Sequence, residues 1–310
     1  MRRPHRWTGA AALERADVAT DGRLLAQKGS SQISSRAELS GQLHPERKSC
    51  AFVQTDPRTM ENRSPATLVN YGLKGKTVLV TGAGSGIGYV ICQHLLKAGA
   101  HVIAVSKTLE NLNRLKTECP SVETICLNLA DWEATEHALK YTQADMVVNN
   151  AATAILEPVG SITEAAFNKT FNLNTKAIIN VIQCCIPHMK TNRRGAIVNV
   201  SSQASIAALA DHAVYAASKA ALDSLTRVFA LELGPYNIRV NSVNPTVTMT
   251  PMSQVGWSDE TKAQQMQNKI PLKRFAQPEE VADAVLYLLS DRASMITGTN
   301  LPIDGGFTAC

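Results

Sequence analysis

Short apolar runs alternate with stretches of helical periodicity from about residue 73 onwards. Six runs rich in Val, Ile and Leu are predicted as β-strands: residues 76–81, 100–106, 122–129, 146–149, 196–201 and 238–243. Between them apolar residues recur at helical spacing, as in residues 86–98. Strands that are apolar almost throughout are buried on both faces. The alternation therefore predicts a parallel sheet with helices on both sides, a doubly wound α/β fold.

The first 70 residues follow neither period, and we predict a mostly disordered N-terminal extension over 1–70 and one domain over 71–310. Arg2, Arg3 and Arg6 precede any acidic residue, as in a mitochondrial transit peptide, but Glu14 and Asp17 soon follow. The extension is a targeting segment, a solvated tail, or a stretch upstream of a working start at Met60. We expect a cytoplasmic protein by default, with mitochondrial targeting as the alternative.

Composition and charge narrow the class of protein to which the chain can belong. The 310 residues are 45% hydrophobic and 18% charged, as in globular proteins. Residues 1–60 hold ten Lys and Arg against six Asp and Glu, whereas residues 61–310 hold 21 against 20. The body is nearly neutral, so we expect no nucleic-acid partner. No apolar run reaches the roughly 18 residues of a membrane span; the one near Ile178 ends at Pro187. The scattered cysteines and histidines match no disulfide framework or metal site, so a reducing compartment and no metal are expected.

A glycine-rich turn follows the first predicted strand, with the sequence T-G-A-G-S-G-I-G over residues 81–88. Gly82 allows a sharp turn, and Gly86 and Gly88 allow close approach of backbone and helix. The N-terminus of the following helix offers free N–H groups to a pyrophosphate. No Gly-Lys-Ser/Thr follows, which excludes a Walker A loop. The strand, turn and helix together predict a dinucleotide site.

The end of the second strand predicts which dinucleotide binds. An NAD site usually has an acidic residue there, which bonds the ribose hydroxyls. This chain has Ser106, followed by Lys107 and Thr108. A lysine attracts the 2′-phosphate that a carboxylate repels. We therefore predict NADP(H), with a solvated surface lysine as the alternative reading.

Three side chains after the fifth strand predict proton-transfer chemistry. Ser202 follows that strand, and Tyr215 and Lys219 are four residues apart on one face of a predicted helix. A nearby ammonium favours the phenolate, so Lys219 is expected to lower the pKa of Tyr215 towards neutrality. Such a tyrosine can exchange a proton with a carbonyl or alcohol oxygen.

With these motifs, residues 74–310 resemble the short-chain dehydrogenase/reductase family. Further motifs of the resemblance are N-N-A-A at 149–152, Asn174 in F-N-L-N, N-P-T at 244–246 and D-G-G at 304–306. The resemblance implies a single Rossmann domain with a mostly parallel seven-stranded sheet, a homotetramer, and hydride transfer between a nicotinamide and a carbonyl carbon. It implies that Tyr215 protonates the carbonyl oxygen, Ser202 polarises it, Lys219 bonds the nicotinamide ribose, and Asn174 holds a water that links Lys219 to solvent.

The resemblance also implies two sets of binding residues. Those implied for the cofactor are Gly82, Ser85, Gly86, Ile87, Gly88, Ser106, Lys107, Thr108, Leu129, Asn150, Ala151, Tyr215, Lys219, Pro245, Val247 and Thr250. Those implied for a small carbonyl or polyol substrate are Ser202, Gln203, Leu209, His212, Tyr215 and Trp257. His212 is expected on the same helix as Tyr215, and a plain helix-surface histidine is the alternative. Trp257 is expected in a lid over the site, or else as an ordinary packing residue.

Stretches such as residues 131–136 and 196–203 are most similar to family members that reduce L-xylulose to xylitol and reduce small α-dicarbonyls with NADPH. The chain departs from them at Ser85, where they carry a lysine, and at Lys107, where they carry an arginine; the preference for NADPH is therefore open. Two alternatives remain. One is a 3-oxoacyl or secondary-alcohol dehydrogenase, and the other is a cofactor-binding scaffold with little turnover.

Overall fold

Seven strands form one sheet in the computed structural model, which describes residues 70–310. The strands are β1 (Thr77–Thr81), β2 (His101–Ser106), β3 (Glu123–Cys126), β4 (Met146–Asn149), β5 (Gly195–Val200), β6 (Ile238–Pro245) and β7 (Asn300–Ile303). Their order in the sheet is β3-β2-β1-β4-β5-β6-β7, and every pairing is parallel. The predicted doubly wound, Rossmann-type α/β fold is confirmed. The expectations for residues 1–69 lie outside the described residues.

Helices cover both faces of the sheet. They are α1 (Gly86–Lys97), α2 (Leu109–Glu118), α3 (Trp132–Leu139), α4 (Glu164–Phe171), α5 (Ala177–Asn192), α6 (Ala213–Leu233), α7 (Pro251–Gly256), α8 (Glu260–Lys269) and α9 (Pro278–Leu289). A π-helical turn, Asn172–Lys176, joins α4 to α5. None of the helices in the described part of the chain is long and apolar enough to span a membrane.

The central strands contribute to two apolar layers, because successive side chains point to opposite faces. Val78 and Val80 of β1 pack with α1, α2 and α9, whereas Leu79 packs with α5 and α6. Both layers are buried, which explains why the central strands are apolar almost throughout.

Two strands differ from the sequence prediction. β3 ends at Cys126 rather than at residue 129, and three of its four side chains are exposed, because it is the edge strand of the sheet. β7 at the other edge was not indicated by the apolar pattern. It contains Asn300 and Pro302, and its side chains are only partly buried or exposed.

Helix α5 continues through Pro187, where the apolar run was expected to end, and stops at Asn192. Cys184, Cys185 and Met189 on either side of the proline are buried in the layer beneath the sheet. Proline costs one backbone hydrogen bond in a helix interior. Packing of this apolar face offsets that loss.

The chain reverses its direction of progress across the sheet between β1 and β4. Strands β1 to β3 extend to one side and β4 to β7 to the other. Ligands of open α/β sheets bind at the carboxyl ends of the strands beside such a reversal. The register aligns the carboxyl ends of β1, β2 and β4, since Val80 of β1 pairs with both Ala104 of β2 and Val148 of β4. The fold therefore places the loops after β1, β2, β4 and β5 around one cleft.

Candidate active site

The glycine turn after β1 packs so closely that side chains would not fit. Gly82 has a φ of 65°, and a Cβ there would lie 2.8 Å from the Cα of Ala151. A Cβ on Gly88 would collide with the side-chain nitrogen of Asn150 and the carbonyl oxygen of Gly82. Backbone therefore forms the wall of the cleft here, as a phosphate-binding turn requires.

Hydrogen bonds fasten this turn to the loop after β4. The Thr81 hydroxyl oxygen accepts from the backbone N–H groups of Asn150 (3.0 Å) and Ala151 (3.1 Å). The Asn150 side-chain nitrogen donates to the carbonyl oxygens of Thr81 (3.1 Å) and Gly82 (3.2 Å). The Asn150 amide thus holds the turn in place, and Ala151 lies against Gly82. Thr81 was not among the sequence-predicted site residues.

The N-terminus of α1 opens into the cleft without a side-chain cap. Ser85 is the N-cap residue, is exposed, and makes no side-chain capping bond. Free N–H groups and the helix dipole make such an end attractive to an anion. A Cβ on Gly86 would lie 3.2 Å from the Thr250 methyl carbon, so the loop after β6 borders the same space. These features fit the pyrophosphate of a dinucleotide.

The carboxyl end of β2 forms the outer edge of the cleft. A Cβ on Gly84 would lie 2.8 Å from the Ser106 hydroxyl oxygen, so strand end and turn are in contact. Lys107 is exposed. Thr108 is the N-cap of α2 and its hydroxyl makes no capping bond. The strand-end position that carries a carboxylate in NAD sites is occupied by Ser106, which fits a 2′-phosphate.

The other predicted cofactor residues lie in three places. Ile87 lies in the first turn of α1, and Leu129 is buried in the loop after β3. Pro245 ends β6, and Val247 and Thr250 lie in the segment that leads to α7. All of them follow carboxyl ends of strands, so the fold brings the predicted set to one edge of the sheet.

Lys219 is buried beneath the cleft, with 1% of its surface exposed. Its Nζ donates to the carbonyl oxygen of Val200 (2.7 Å), the last residue of β5. Burial lowers the pKa of the Lys219 ammonium to about 8, and the nearby Asp223 carboxylate acts to raise it. The α6 face that carries Lys219 also carries Tyr215 one turn earlier, as the spacing predicted.

Tyr215 differs from expectation in its acidity. Burial raises the pKa of the phenol, and a hydrogen bond with Ser202 acts to lower it. The Lys219 Nζ lies 5.9 Å from the centre of the Tyr215 ring and is bonded to Val200. The expected pKa near neutrality is therefore not found, because desolvation outweighs the favourable contacts. The phenol keeps its proton at neutral pH.

Asn174 lies in the π-helical turn between α4 and α5 and is fully buried. Its side-chain oxygen accepts from the Thr153 N–H (2.9 Å), and its nitrogen donates to the Thr153 carbonyl (2.9 Å) and the Ser218 hydroxyl (3.1 Å). Ser218 in turn donates to the Tyr215 carbonyl (2.7 Å). Both amide protons are used, so a water that bonds Asn174 would have to donate to one of its oxygens.

A buried polar network supports this part of the site, and sequence reasoning missed it. The Asp223 carboxylate accepts from Ser205 (2.5 Å), Asn244 (2.9 Å) and Ser242 (3.3 Å). Asn244 also donates to the Ser202 carbonyl (3.2 Å). Asp223 follows Lys219 by four residues, so its position on the same buried helix face was a usable signal.

Three of the predicted substrate residues beyond Ser202 are a buried amide and two partly buried apolar side chains. Gln203 is 2% exposed, and neither its side-chain nitrogen nor its oxygen has a hydrogen-bond partner among residues 70–310. Leu209 and Trp257 pack on one small apolar cluster around Phe275. A buried amide without a partner is costly, so Gln203 is suited to bond a polar ligand.

His212 does not lie on the helix, contrary to the sequence prediction. It is the N-cap residue before α6, with φ −98° and ψ 13°, and its Nδ1 donates to the Ala210 carbonyl (2.5 Å). Its ring centre still lies 6.1 Å from that of Tyr215. The bond to Ala210 fixes the ring beside the cleft.

Comparisons with known proteins agree with this geometry. The chain matches the family profile described as enoyl-(acyl carrier protein) reductase over residues 82–308. It is 54% identical over 241 residues to an L-xylulose reductase of Mesocricetus auratus, covering 77% of this chain and 99% of that relative. It is 41% identical over 237 residues to carbonyl reductase (NADPH) 2 of Sus scrofa, covering 76% and 97%.

One solved structure of similar fold is described by the name of its family. It is an oxidoreductase of the short-chain dehydrogenase/reductase family from Burkholderia thailandensis, with a TM-score of 0.73 and 33% identity, covering 76% of this chain and 94% of that one. The chain belongs to the short-chain dehydrogenase/reductase family.

Proposed function

We propose that this protein is an NADP(H)-dependent carbonyl reductase that converts L-xylulose to xylitol and reduces small α-dicarbonyls. The observation that carries the proposal is the grouping of Ser202, Tyr215 and Lys219, with Tyr215 hydrogen-bonded to Ser202 and one helical turn from the buried Lys219. The identity to an L-xylulose reductase and to a carbonyl reductase named for NADPH supports the substrate class and cofactor.

The chain's own residues would hold the cofactor along the edge of the sheet. The uncapped N-terminus of α1 binds the pyrophosphate, and Ser106, Lys107 and Thr108 bind the adenosine end. The segment from Pro245 to Thr250 lies beside the opposite end. When bound, NADPH supplies the hydride.

Tyr215 acts as the general acid. As negative charge develops on the substrate carbonyl oxygen, the phenol transfers its proton to that oxygen. The Ser202 hydroxyl bonds the same oxygen and keeps it within reach of the phenol. The raised pKa of Tyr215 suits this direction, because the residue is protonated before reaction.

Lys219 stabilises the phenolate that remains. Its ammonium is one helical turn from Tyr215, and at neutral pH a group with a pKa of about 8 is mainly charged. A water held by an Asn174 oxygen would return a proton from solvent to Lys219 and Tyr215.

The substrate side of the cleft combines one polar group with apolar walls. The Gln203 amide offers a donor and an acceptor to a hydroxyl or a second carbonyl. Leu209 and Trp257 form the apolar part. This combination fits a small molecule in which a ketone adjoins a hydroxyl or another ketone, as in a ketose or an α-diketone.

The test is turnover of L-xylulose and diacetyl, followed by the loss of NADPH absorbance, with NADH measured in parallel. We expect both substrates to be reduced, with NADPH preferred. Turnover of 3-oxoacyl thioesters instead would overturn the proposed substrate class. Cofactor binding without turnover of any carbonyl would indicate a scaffold.

A further inference from the structure

Arg114 on α2 reaches the glycine turn, and nothing in the sequence motifs pointed to it. One guanidinium nitrogen donates to the carbonyl oxygen of Gly84 (3.1 Å). Its central carbon lies 5.1 Å from the centre of the Tyr89 ring on α1. The side chain thus bridges the second helix and the turn that precedes the first.

We propose that Arg114 supplies the second positive charge of the site for the cofactor's 2′-phosphate, beside Lys107. The inference rests on the proposed use of NADP(H). It assigns a specificity-determining role to a residue outside the glycine turn and outside the end of β2.

The placement follows from the direction of helical side chains. Side chains on a helix lean towards its N-terminus, so Arg114 points back over the first turn of α2. Arg114 reaches the turn at Gly84. Gly84 also packs against α2 and the end of β2, since a Cβ there would lie 2.8 Å from both the Asn111 Cβ and the Ser106 hydroxyl oxygen. Ser106 ends β2 where the adenosine ribose is expected. Arg114 and Ser106 therefore both lie against Gly84, and Lys107 directly follows Ser106 in the chain.

The need for a second cation follows from the charge of the ligand. A 2′-phosphate carries close to two negative charges, and Lys107 offers one positive point charge on a flexible stem. Ser85 is exposed and without a capping bond, so it adds a hydroxyl but no charge. The uncapped N-terminus of α2 adds N–H groups. Arg114 supplies the second positive charge that offsets the charge of the 2′-phosphate.

The contacts of Arg114 leave it available. A guanidinium has five N–H groups, and the bond to Gly84 uses one. Among residues 70–310 no acidic side chain forms an ion pair with Arg114, and the Glu118 carboxylate one turn later bonds Gln93 instead (3.3 Å). The Tyr89 ring restrains the guanidinium plane, which reduces the entropy lost on binding a phosphate.

The experiment compares two adenosine fragments by titration calorimetry on the full chain. Adenosine 2′,5′-bisphosphate carries the 2′-phosphate, and 5′-AMP lacks it. For Arg114→Gln we expect binding of the bisphosphate to weaken about tenfold, as for loss of one charge-assisted hydrogen bond, with less than about twofold change for 5′-AMP. Raised salt should shrink the difference between wild type and variant.

Lys116→Gln is the matched control. It removes the same charge from the same helix, but Lys116 donates to the Val122 carbonyl at the far end of α2. We expect this variant to bind both fragments as the wild type does. Arg114→Lys keeps the charge and loses the planar fork, so intermediate weakening for the bisphosphate alone is expected.

The outcomes separate this inference from the proposed function. If wild type prefers the bisphosphate and Arg114→Gln keeps that preference, the role of Arg114 is wrong and NADP(H) use stands. Equal weakening for both fragments would show that Arg114 only supports the turn, and the same loss in Lys116→Gln would show a general charge effect. Either result overturns the inference. A wild type without preference for the bisphosphate contradicts NADP(H) use itself.

Discussion

At the scale of single residues, acidity in the cleft is set by desolvation. Burial raises the pKa of Tyr215 and lowers that of Lys219, so it works against charge on both. The contacts that oppose it are specific: Ser202 for the phenol and Asp223 for the ammonium. The two protonation states at neutral pH are thus a neutral phenol and a mainly charged amine, which is the pairing that a carbonyl reduction needs.

Removing the proposed proton donor tests the proposed mechanism directly. Tyr215→Phe keeps the ring and deletes the hydroxyl, so we expect kcat to fall roughly 10²- to 10⁴-fold, the range for loss of a general acid. Because the glycine turn and the uncapped N-terminus of α1 are untouched, NADPH should still bind, and its Kd should change far less than kcat. Reduction of L-xylulose at an undiminished rate would contradict the assignment of Tyr215.

The pH profile tests the coupling between Lys219 and Asp223. The Lys219 ammonium loses its proton as pH rises through about 8, so kcat for reduction should decline above that pH. Asp223 acts to raise the lysine pKa, so Asp223→Asn lowers it further and moves the decline to lower pH. The pH dependence of kcat for both forms is the measurement.

A merely structural effect of Asp223→Asn would look different. Loss of its bonds to Ser205 and Asn244 lowers the melting temperature without moving the pH at which activity declines. Thermal unfolding of the variant therefore serves as the control, and an unmoved profile would contradict the coupling.

At the scale of elements, hydrogen bonds between neighbouring loops and helices hold the site together. The turn after β1 is bonded to the loop after β4 through Thr81 and Asn150. α6 is joined to the π-helical turn through Ser218 and Asn174. A π-helical turn in mid-helix is uncommon and is frequently found at functional sites. Each of these two sets of hydrogen bonds fixes one wall of the cleft relative to the central strands.

Gly88, inside α1, tests how closely the turn after β1 packs against the loop after β4. In an open helix, Gly→Ala stabilises by about 1 kcal/mol. At Gly88 the new methyl collides with Asn150 and the Gly82 carbonyl, so Gly88→Ala should destabilise by about 1–3 kcal/mol and weaken cofactor binding.

Gly234→Ala is the comparison for that variant. In the described part of the chain, no atom outside its local backbone lies within 4 Å of a Cβ built at Gly234, and its φ of −52° suits alanine. Denaturant unfolding should show little loss there. Equal stability of the two variants would mean that the turn can shift to accept a side chain.

The sequence predicted the elements better than the contacts. β1, β2 and β4 are apolar almost throughout, so their positions follow from burial alone. β7 escaped detection because an edge strand of four partly exposed residues carries no such pattern. The raised pKa of Tyr215 and the reach of Arg114 escaped it because both depend on which surfaces meet after folding.

At the scale of the whole molecule, several apolar side chains of α4 and α6 remain uncovered. Phe167 is 45% exposed, and Val228 and Leu231 of α6 are 44% and 78% exposed. Exposed apolar side chains on neighbouring helices are typical of protein–protein contacts. They are consistent with the expected homotetramer, which stays a prediction.

Assembly can be tested by a charge on this surface. We expect the wild type to have the mass of a tetramer by light scattering. Leu231→Glu places a charge where apolar contact is needed, and should give a smaller species with the same secondary structure. The exposed Leu272→Glu, in the loop after α8, is the control and should leave the mass unchanged. A monomeric wild type would contradict the prediction.

The reversal of strand order between β1 and β4 separates two tasks that a reductase must perform. Groups proposed to recognise the adenosine end lie on the β2 and α2 side, and groups proposed to move the proton lie on α6 beyond β5. No side chain serves in both groups. A few substitutions between Ser106 and Arg114 would therefore change the pool of reducing equivalents on which the protein draws, and its reaction would be left intact.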